Sequence, residues 1–186
     1  MGLEGMDFSP ISELCQSLDV EYRIIKTEIS KIIFEYRQES NPCSLCAKMR
    51  RGALNTAAKE AGCNKVALGH HFDDAVETFM MNMFFEGRLG CFSPKSYLSN
   101  RKLGLIRPLL YATEKDVQYF VRRRPMPVMV SPCPEDHATE RENMKNLLAQ
   151  IERTNKGLRH RIFNAMCKGE IDGFKIVERK PREKSE

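Results

Sequence analysis

Residues 65–78 read Lys-Val-Ala-Leu-Gly-His-His-Phe-Asp-Asp-Ala-Val-Glu-Thr. Lys65–Leu68 predicts a short buried strand, and Gly69 lets the backbone turn sharply out of it. Asp74, with Glu77 three positions on, has the form of a capping box. Val76, Phe79, Met80 and Met83 then place an apolar stripe along a helix that ends near Gly87. Strand, tight turn and amphipathic helix are the repeating unit of an α/β fold with a mainly parallel sheet. Such sheets bind ligands at the carboxyl edge of their strands, where His70, His71 and Asp73 fall. Hard carboxylate oxygens there suit magnesium and a nucleotide phosphate. Capping explains Asp74 and Glu77 without function, but not two adjacent histidines and a second aspartate.

The same alternation runs outward from this stretch. Towards the N-terminus, Asn41-Pro42 opens a long helix reaching about Ala61, with Leu45, Met49, Ala53 and Ala57 at four-residue spacing and Gly62 at its end. Tyr22–Thr27 reads as a strand, and residues 10–18 as a short helix opened by Ser9 and Pro10 in the N-cap and first-turn roles. Towards the C-terminus, a loop rich in Gly, Ser and Asn leads to a strand at Leu103–Arg107. Thr113 caps a helix reaching Arg124, and Met126–Val130 is the last strand candidate. Beyond Glu135, Met144, Leu147, Leu148 and Ile151, then Leu158, Ile162, Phe163 and Met166, describe two helices joined around Asn155-Lys156-Gly157. The expected division is an α/β domain over residues 1–134, a helical segment over 135–172 and a charged tail over 173–186, disordered from Glu178.

With 186 residues, 41% of them hydrophobic, the chain can bury one real core. No run approaches a membrane span and the first twenty residues lack the pattern of a signal peptide, so a cytoplasmic location is expected. Seven cysteines, an odd and scattered set, point to thiol or metal chemistry over a disulfide framework. Cys15, Cys63, Cys91 and Cys167 each stand alone and read as small hydrophobes. The net charge of +5, with basic clusters at Lys48–Arg51, Arg122–Arg124 and Lys156–Arg161, permits an anionic partner without demanding one.

Cys43 and Cys46, in Asn-Pro-Cys-Ser-Leu-Cys, sit in the first turn of the long helix. Unpaired amides there, with Lys48, Arg50 and Arg51 nearby, favour the thiolate, the form that binds metal. Cys133, in Ser-Pro-Cys-Pro, lies in a loop held non-helical by the flanking prolines. Three thiolates on a four-iron cluster leave one iron open for an exogenous sulfur. The same thiols with His137 would instead make a Cys3His zinc site that only braces the fold, and the pair alone would serve as a redox dithiol.

The run joining PCSLCAKMRRGAL to ALGHHFDDAVET, residues 42–54 and 67–78, resembles the tRNA 2-thiocytidine synthetase family of PP-loop ATP pyrophosphatases. Leu105-Ile106-Arg107-Pro108-Leu109, Glu114-Lys115-Asp116, Ser131-Pro132-Cys133-Pro134 and Arg141-Glu142 continue the likeness in the same order, to about residue 165. The histidine–aspartate element is also similar to that of tRNA lysidine synthetase, which does not share the cysteine pattern. The resemblance implies a Rossmann-like, adenine nucleotide alpha hydrolase-like parallel sheet flanked by helices, with a C-terminal helical extension. It implies ATP-dependent 2-thiolation of a cytidine in the tRNA anticodon loop, with ATP, Mg2+ and a [4Fe-4S] cluster as cofactors. Cys43, Cys46 and Cys133 would be the cluster ligands, while Gly69, His70 and Asp73 would face the nucleotide and metal. Lys48, Arg50, Arg51 and Arg107 would contact phosphates of ATP or tRNA. A sulfur donor such as a cysteine desulfurase is the implied partner.

The family's phosphate loop, Ser-Gly-Gly-x-Asp-Ser, is found nowhere in the 186 residues. Its backbone amides would hold the pyrophosphate. The expectation is therefore an N-terminally truncated sheet with a central gap between Tyr22–Thr27 and Leu103–Arg107, filled by a separate N-terminal fragment or by homodimer formation, or else left open in a fragment that folds poorly, and no ATP turnover by the chain alone. The alternative is a zinc-binding structural or RNA-binding module without catalysis.

Overall fold

A computed structural model of the protein describes residues 2, 5–37, 42–135 and 139–176. They form two compact units interleaved in sequence: residues 1–68, 97–106 and 114–139 in the first, and residues 69–96, 107–113 and 140–186 in the second. The expected disorder beyond Glu178, the expected ligand His137 and the helix-opening Asn41 all lie outside the described residues.

In the first unit, strand β1 (Lys65–Ala67) pairs in parallel with β3 (Leu103–Ile106), Val66 opposite Leu105. The Leu68 N–H donates to the Ile106 carbonyl at 2.9 Å and the Gly104 N–H to the Asn64 carbonyl at 3.0 Å, extending the ladder at both ends. Val66, Leu103 and Leu105 are buried, as a compact apolar strand requires. Strand order is β1-β3-β2, with β2 (Lys95–Leu98) in the stretch expected to be loop. The gap expected between Tyr22–Thr27 and Leu103–Arg107 is therefore not there among the described residues. β3 has a strand on each side, and the outer edge of β1 is the one without a strand among the described residues.

The long helix is α3, Pro42–Glu60. It closes as expected on Gly62, whose φ of +74° only glycine adopts without strain. The Cys63 N–H reaches back to the Ala58 carbonyl at 2.9 Å and the Gly62 N–H to that of Lys59 at 3.0 Å, satisfying carbonyls a helix end leaves open. Before it, α2 (Ile29–Lys31) runs into a π-helical segment at Ile32–Arg37, with Ile29 and Ile33 buried; neither was evident from periodicity. Helix α1 (Ser9–Ser17) has Pro10 in its first turn, but Phe8 occupies the N-cap position and Ser9 is already helical, its N–H bonded at 2.9 Å to Asp7 Oδ1. Helix α5 spans Glu114–Arg123.

Two expected strands do not form. Residues 20–28 and 126–133 are irregular, with Ile24 and Ile25 about half exposed and Val128 and Val130 exposed to 72% and 84%. A run of β-branched residues becomes a strand only where a neighbour satisfies its backbone, and the sheet of described residues offers neither run a ladder.

The second unit is helical. Helices α4 (Phe72–Phe85), α6 (Glu140–Thr154) and α7 (Leu158–Lys168) pack on one another. Phe72, Ala75, Val76, Leu110, Met144, Leu148, Phe163, Met166, Cys167 and Phe174 make one buried cluster. Phe163 sits at its centre, 4.7 Å from Phe72, 5.7 Å from Tyr111 and 5.6 Å from Phe174 between ring centroids. The turn between α6 and α7 falls where expected, with Gly157 at φ +79°.

Candidate functional site

The first unit holds a cavity of about 230 Å3, lined by Cys43, Cys46 and Cys133 together with Ile33, Arg50 and Glu135. Helix α3 places Cys43 and Cys46 one turn apart near its start, and the irregular segment after residue 130 carries Cys133 to the same cavity. Cys43 is exposed, while Cys46 and Cys133 are half-buried. Contrary to the expected bias toward thiolate, the Cys43 thiol is pushed up, first by burial, then by the neighbouring Cys133, Glu135 and Cys46. Burial disfavours the charged thiolate, and the acidic groups of Cys133, Glu135 and Cys46 add to this because like charges resist ionising together.

Among the described residues no group of three or more His, Cys, Asp or Glu side chains is placed to hold a metal ion. The donor chemistry nonetheless fits an iron–sulfur cluster, since three soft thiols line one cavity. Arg50 thus lines the thiol cavity, and Lys48 and Arg51 are exposed on the same helix.

The second unit holds the histidine–aspartate turn. His71, in extended conformation, caps α4: its N–H donates to Asp74 Oδ2 at 2.9 Å, and the Asp74 N–H donates to its Nδ1 at 3.4 Å. The capping box therefore lies three residues earlier than expected. Asp74 is its acidic member, and Glu77 is no cap at all.

Glu77 is 4% exposed. Arg141 donates to Glu77 Oε2 at 3.3 Å and Arg159 to Oε1 at 3.4 Å. Arg159 also donates to Asp73 Oδ1 at 3.0 Å and to the Lys145 carbonyl at 3.2 Å, and Arg141 to Thr78 Oγ1 at 2.9 Å. Burial raises the Glu77 carboxyl above its ordinary range, against the pull of Arg141 and Arg159. These two arginines are the residues sequence reasoning did not single out as site residues. They lie more than sixty positions from their partners, and no local pattern announces such a pairing.

Asp73, expected to face metal and nucleotide, is 8% exposed and bonded to Arg159. His70 packs its ring 4.7 Å from Phe92, and the Arg107 guanidinium lies 4.7 Å over that same ring. Among the described residues, the buried His70 Nδ1 has no hydrogen-bond partner. Burial, then Arg107, lowers the His70 pKa below its ordinary value, so the ring is held neutral. Gly69 has an ordinary negative φ, and a β-carbon built on it would meet nothing within 4 Å. Turn strain and internal packing therefore do not account for that glycine.

The PP-loop domain family profile matches residues 6–152. A tRNA-cytidine(32) 2-sulfurtransferase of Citrifermentans bemidjiense is 38% identical over 168 residues, which is 89% of this chain and 66% of that relative. One from Cupriavidus necator is 37% identical over 158 residues, covering 84% of this chain and 50% of the relative. One from Syntrophotalea carbinolica is 40% identical over 147 residues, covering 77% and 57%. Among solved structures, the U34-tRNA thiolase NcsA from Methanococcus maripaludis with its [4Fe-4S] cluster aligns with a TM-score of 0.70 at 25% identity, over 88% of this chain and 57% of that one. The chain thus spans between half and two thirds of the length of the relatives it matches. With the matched stretch running through the thiol helix, the histidine–aspartate turn and the Cys133 segment alike, the chain belongs to the PP-loop domain family.

Proposed function

We propose that this chain is the sulfur-handling part of a tRNA-thiolating enzyme, one that replaces the oxygen on C2 of an anticodon-loop cytidine with sulfur. One observation carries the reading: Cys43, Cys46 and Cys133 line one cavity, in a chain 35–40% identical to tRNA-cytidine 2-sulfurtransferases. ATP first adenylates the C2 oxygen and releases pyrophosphate. A sulfur at the sulfide level then attacks C2, the C–O bond breaks, and AMP leaves with the bonding electrons. The cytosine must be unstacked to be reached, which suits a loop nucleotide.

Cys43, Cys46 and Cys133 would hold a [4Fe-4S] cluster, which when bound supplies an iron without a protein ligand on which sulfur can be carried. Gly69, His70 and Asp73 would face the nucleotide. The neutral His70 ring would offer its buried Nδ1, unpartnered among the described residues, to a polar group of the nucleotide. Asp73 reaches magnesium only by sharing a carboxylate now bonded to Arg159.

Anaerobic reconstitution with iron and sulfide tests the reading. A brown protein containing iron and labile sulfide is expected, with the colour lost in Cys43→Ser, Cys46→Ser and Cys133→Ser. A colourless protein that takes up only zinc would sink it. No AMP release is expected from these 186 residues alone, because Ser-Gly-Gly-x-Asp-Ser is not among them.

A further inference from the structure

We propose that the exposed surface of the last two turns of α5, with Arg124 just beyond it, is an RNA-contact surface, on which unpaired bases stack against Tyr119 and Phe120 while Arg122, Arg123 and Arg124 neutralise the flanking phosphates. This deepens the proposed function by naming a surface for its RNA substrate, and it rests on that reading only for the identity of the RNA.

Helix α5 buries none of its residues. At 100° per residue, Val117 and Val121 share one side, and both are half-buried. Tyr119 falls on the opposite side and Phe120 on the flank next to Val117, and they remain 57% and 54% exposed. The Arg123 guanidinium lies 5.2 Å over the Tyr119 ring, and that of Arg124 lies 5.8 Å over the Phe120 ring. From Gln118 to Arg124 there are three cations and no anion.

Part of this has a plain explanation. Cations in the last turn of a helix are favoured by the helix dipole, and Arg122 donates to the Gln118 carbonyl at 3.3 Å. The dipole gives no reason for two adjacent aromatic rings to stand in water, each beneath a guanidinium. Aromatic faces and guanidinium planes are both stacking platforms for bases, and the arginine charges match a phosphate backbone. A duplex keeps its bases stacked inside, so the rings fit a single strand. A second copy of the chain fits poorly, because a two-fold pairing of this face would set arginines against arginines.

The test uses the full chain and fluorescence anisotropy with a labelled, unstructured 15-nucleotide RNA, titrated across a salt series, with far-UV circular dichroism confirming that each variant folds. The double variant Tyr119→Leu, Phe120→Leu should weaken binding by roughly 10-fold or more at an unchanged salt slope, since stacking is lost and charge kept. The triple variant Arg122→Gln, Arg123→Gln, Arg124→Gln should shallow the slope by about 2, near 0.7 per phosphate contact removed on a single strand. The proposal is overturned if the parent chain binds no RNA. It is equally overturned if both variants bind RNA as the parent does, or if the leucine variant changes only the sedimentation mass. Iron and sulfide content of the same preparations reports separately on thiolation: RNA binding lost with the cluster retained indicts the variant surface, and the reverse indicts the sulfur reading.

Discussion

All ten residues of the buried cluster around Phe163 belong to the second unit, whereas the first buries only Ile29, Ile33, Val66, Leu103 and Leu105 among its described hydrophobic residues. The chemistry divides along the same line. The thiols of Cys43, Cys46 and Cys133 line a cavity in the unit with the smaller core, where Ile24, Ile25, Val128 and Val130 remain exposed. The carboxylates of Asp73 and Glu77 are held by arginines in the unit with the larger core. Access and rigidity make opposite demands on packing, and the chain meets them in different units.

The sharpest way to break this contrast is to cut the larger core. Phe163→Ala removes a ring 5% exposed that contacts three other aromatic rings, and should cost about 3–5 kcal/mol. Urea denaturation measures it; a loss below about 1 kcal/mol would mean that the cluster is not the main support of its unit. Next in size is Arg159→Met. It leaves Glu77 with one cation and Asp73 without its Arg159 bond, and removing one partner of a buried ion pair costs about 3–5 kcal/mol. The low end is expected, because Arg141 still reaches Glu77. A double-mutant cycle with Glu77→Gln should show coupling between the two positions, and strict additivity would dissolve the proposed network.

The same division separates what was legible in the sequence from what was not. Helices α3, α4, α6 and α7 could be read because each carries its own apolar period and its own end signals, such as Gly62 and Gly157. Strands β1 and β3 could be read as compact apolar runs. Tyr22–Thr27 and Met126–Val130 also carry β-branched residues and form no strand, since a ladder belongs to two segments and a sequence window shows one. At the site, the cysteines and the histidine–aspartate turn stand out by spacing. The true role of Glu77 did not, because a carboxylate three residues after an aspartate looks like a cap until Arg141 and Arg159 arrive from distant helices.

A smaller effect comes from His70. Its folded pKa is lowered from 6.5 by burial and by Arg107, so below 6.5 the unfolded chain binds a proton that the folded chain resists. The stability associated with neutral His70 is present above 6.5 and is lost as pH falls towards the folded value. Glu77 runs the other way. Its folded pKa is raised above 4.5, so the cost of its buried charge is present at neutral pH and relieved as pH falls through the folded value. His70→Gln should therefore flatten the decline below pH 6.5 and leave the Glu77 contribution in place. Thermal melts at closely spaced pH values would show it, and parallel profiles for variant and parent would mean that His70 titrates alike in both states.

The smallest effect on stability is expected at Cys133, the residue that the proposed function makes a cluster ligand. Its side chain is half-buried on a cavity wall, and its N–H bonds locally to Ser131 Oγ at 3.3 Å. Cys133→Ala in the metal-free protein removes one sulfur from an open site and should shift unfolding by no more than about 0.5 kcal/mol. In the reconstituted protein the parent gains stability from any group that binds only the folded state, and the variant forgoes that gain. The two denaturation curves should therefore nearly coincide without iron and sulfide and separate with them. Curves already apart in the metal-free protein would make Cys133 a packing residue, and would erase the distinction between a cavity kept open for chemistry and a core closed for support.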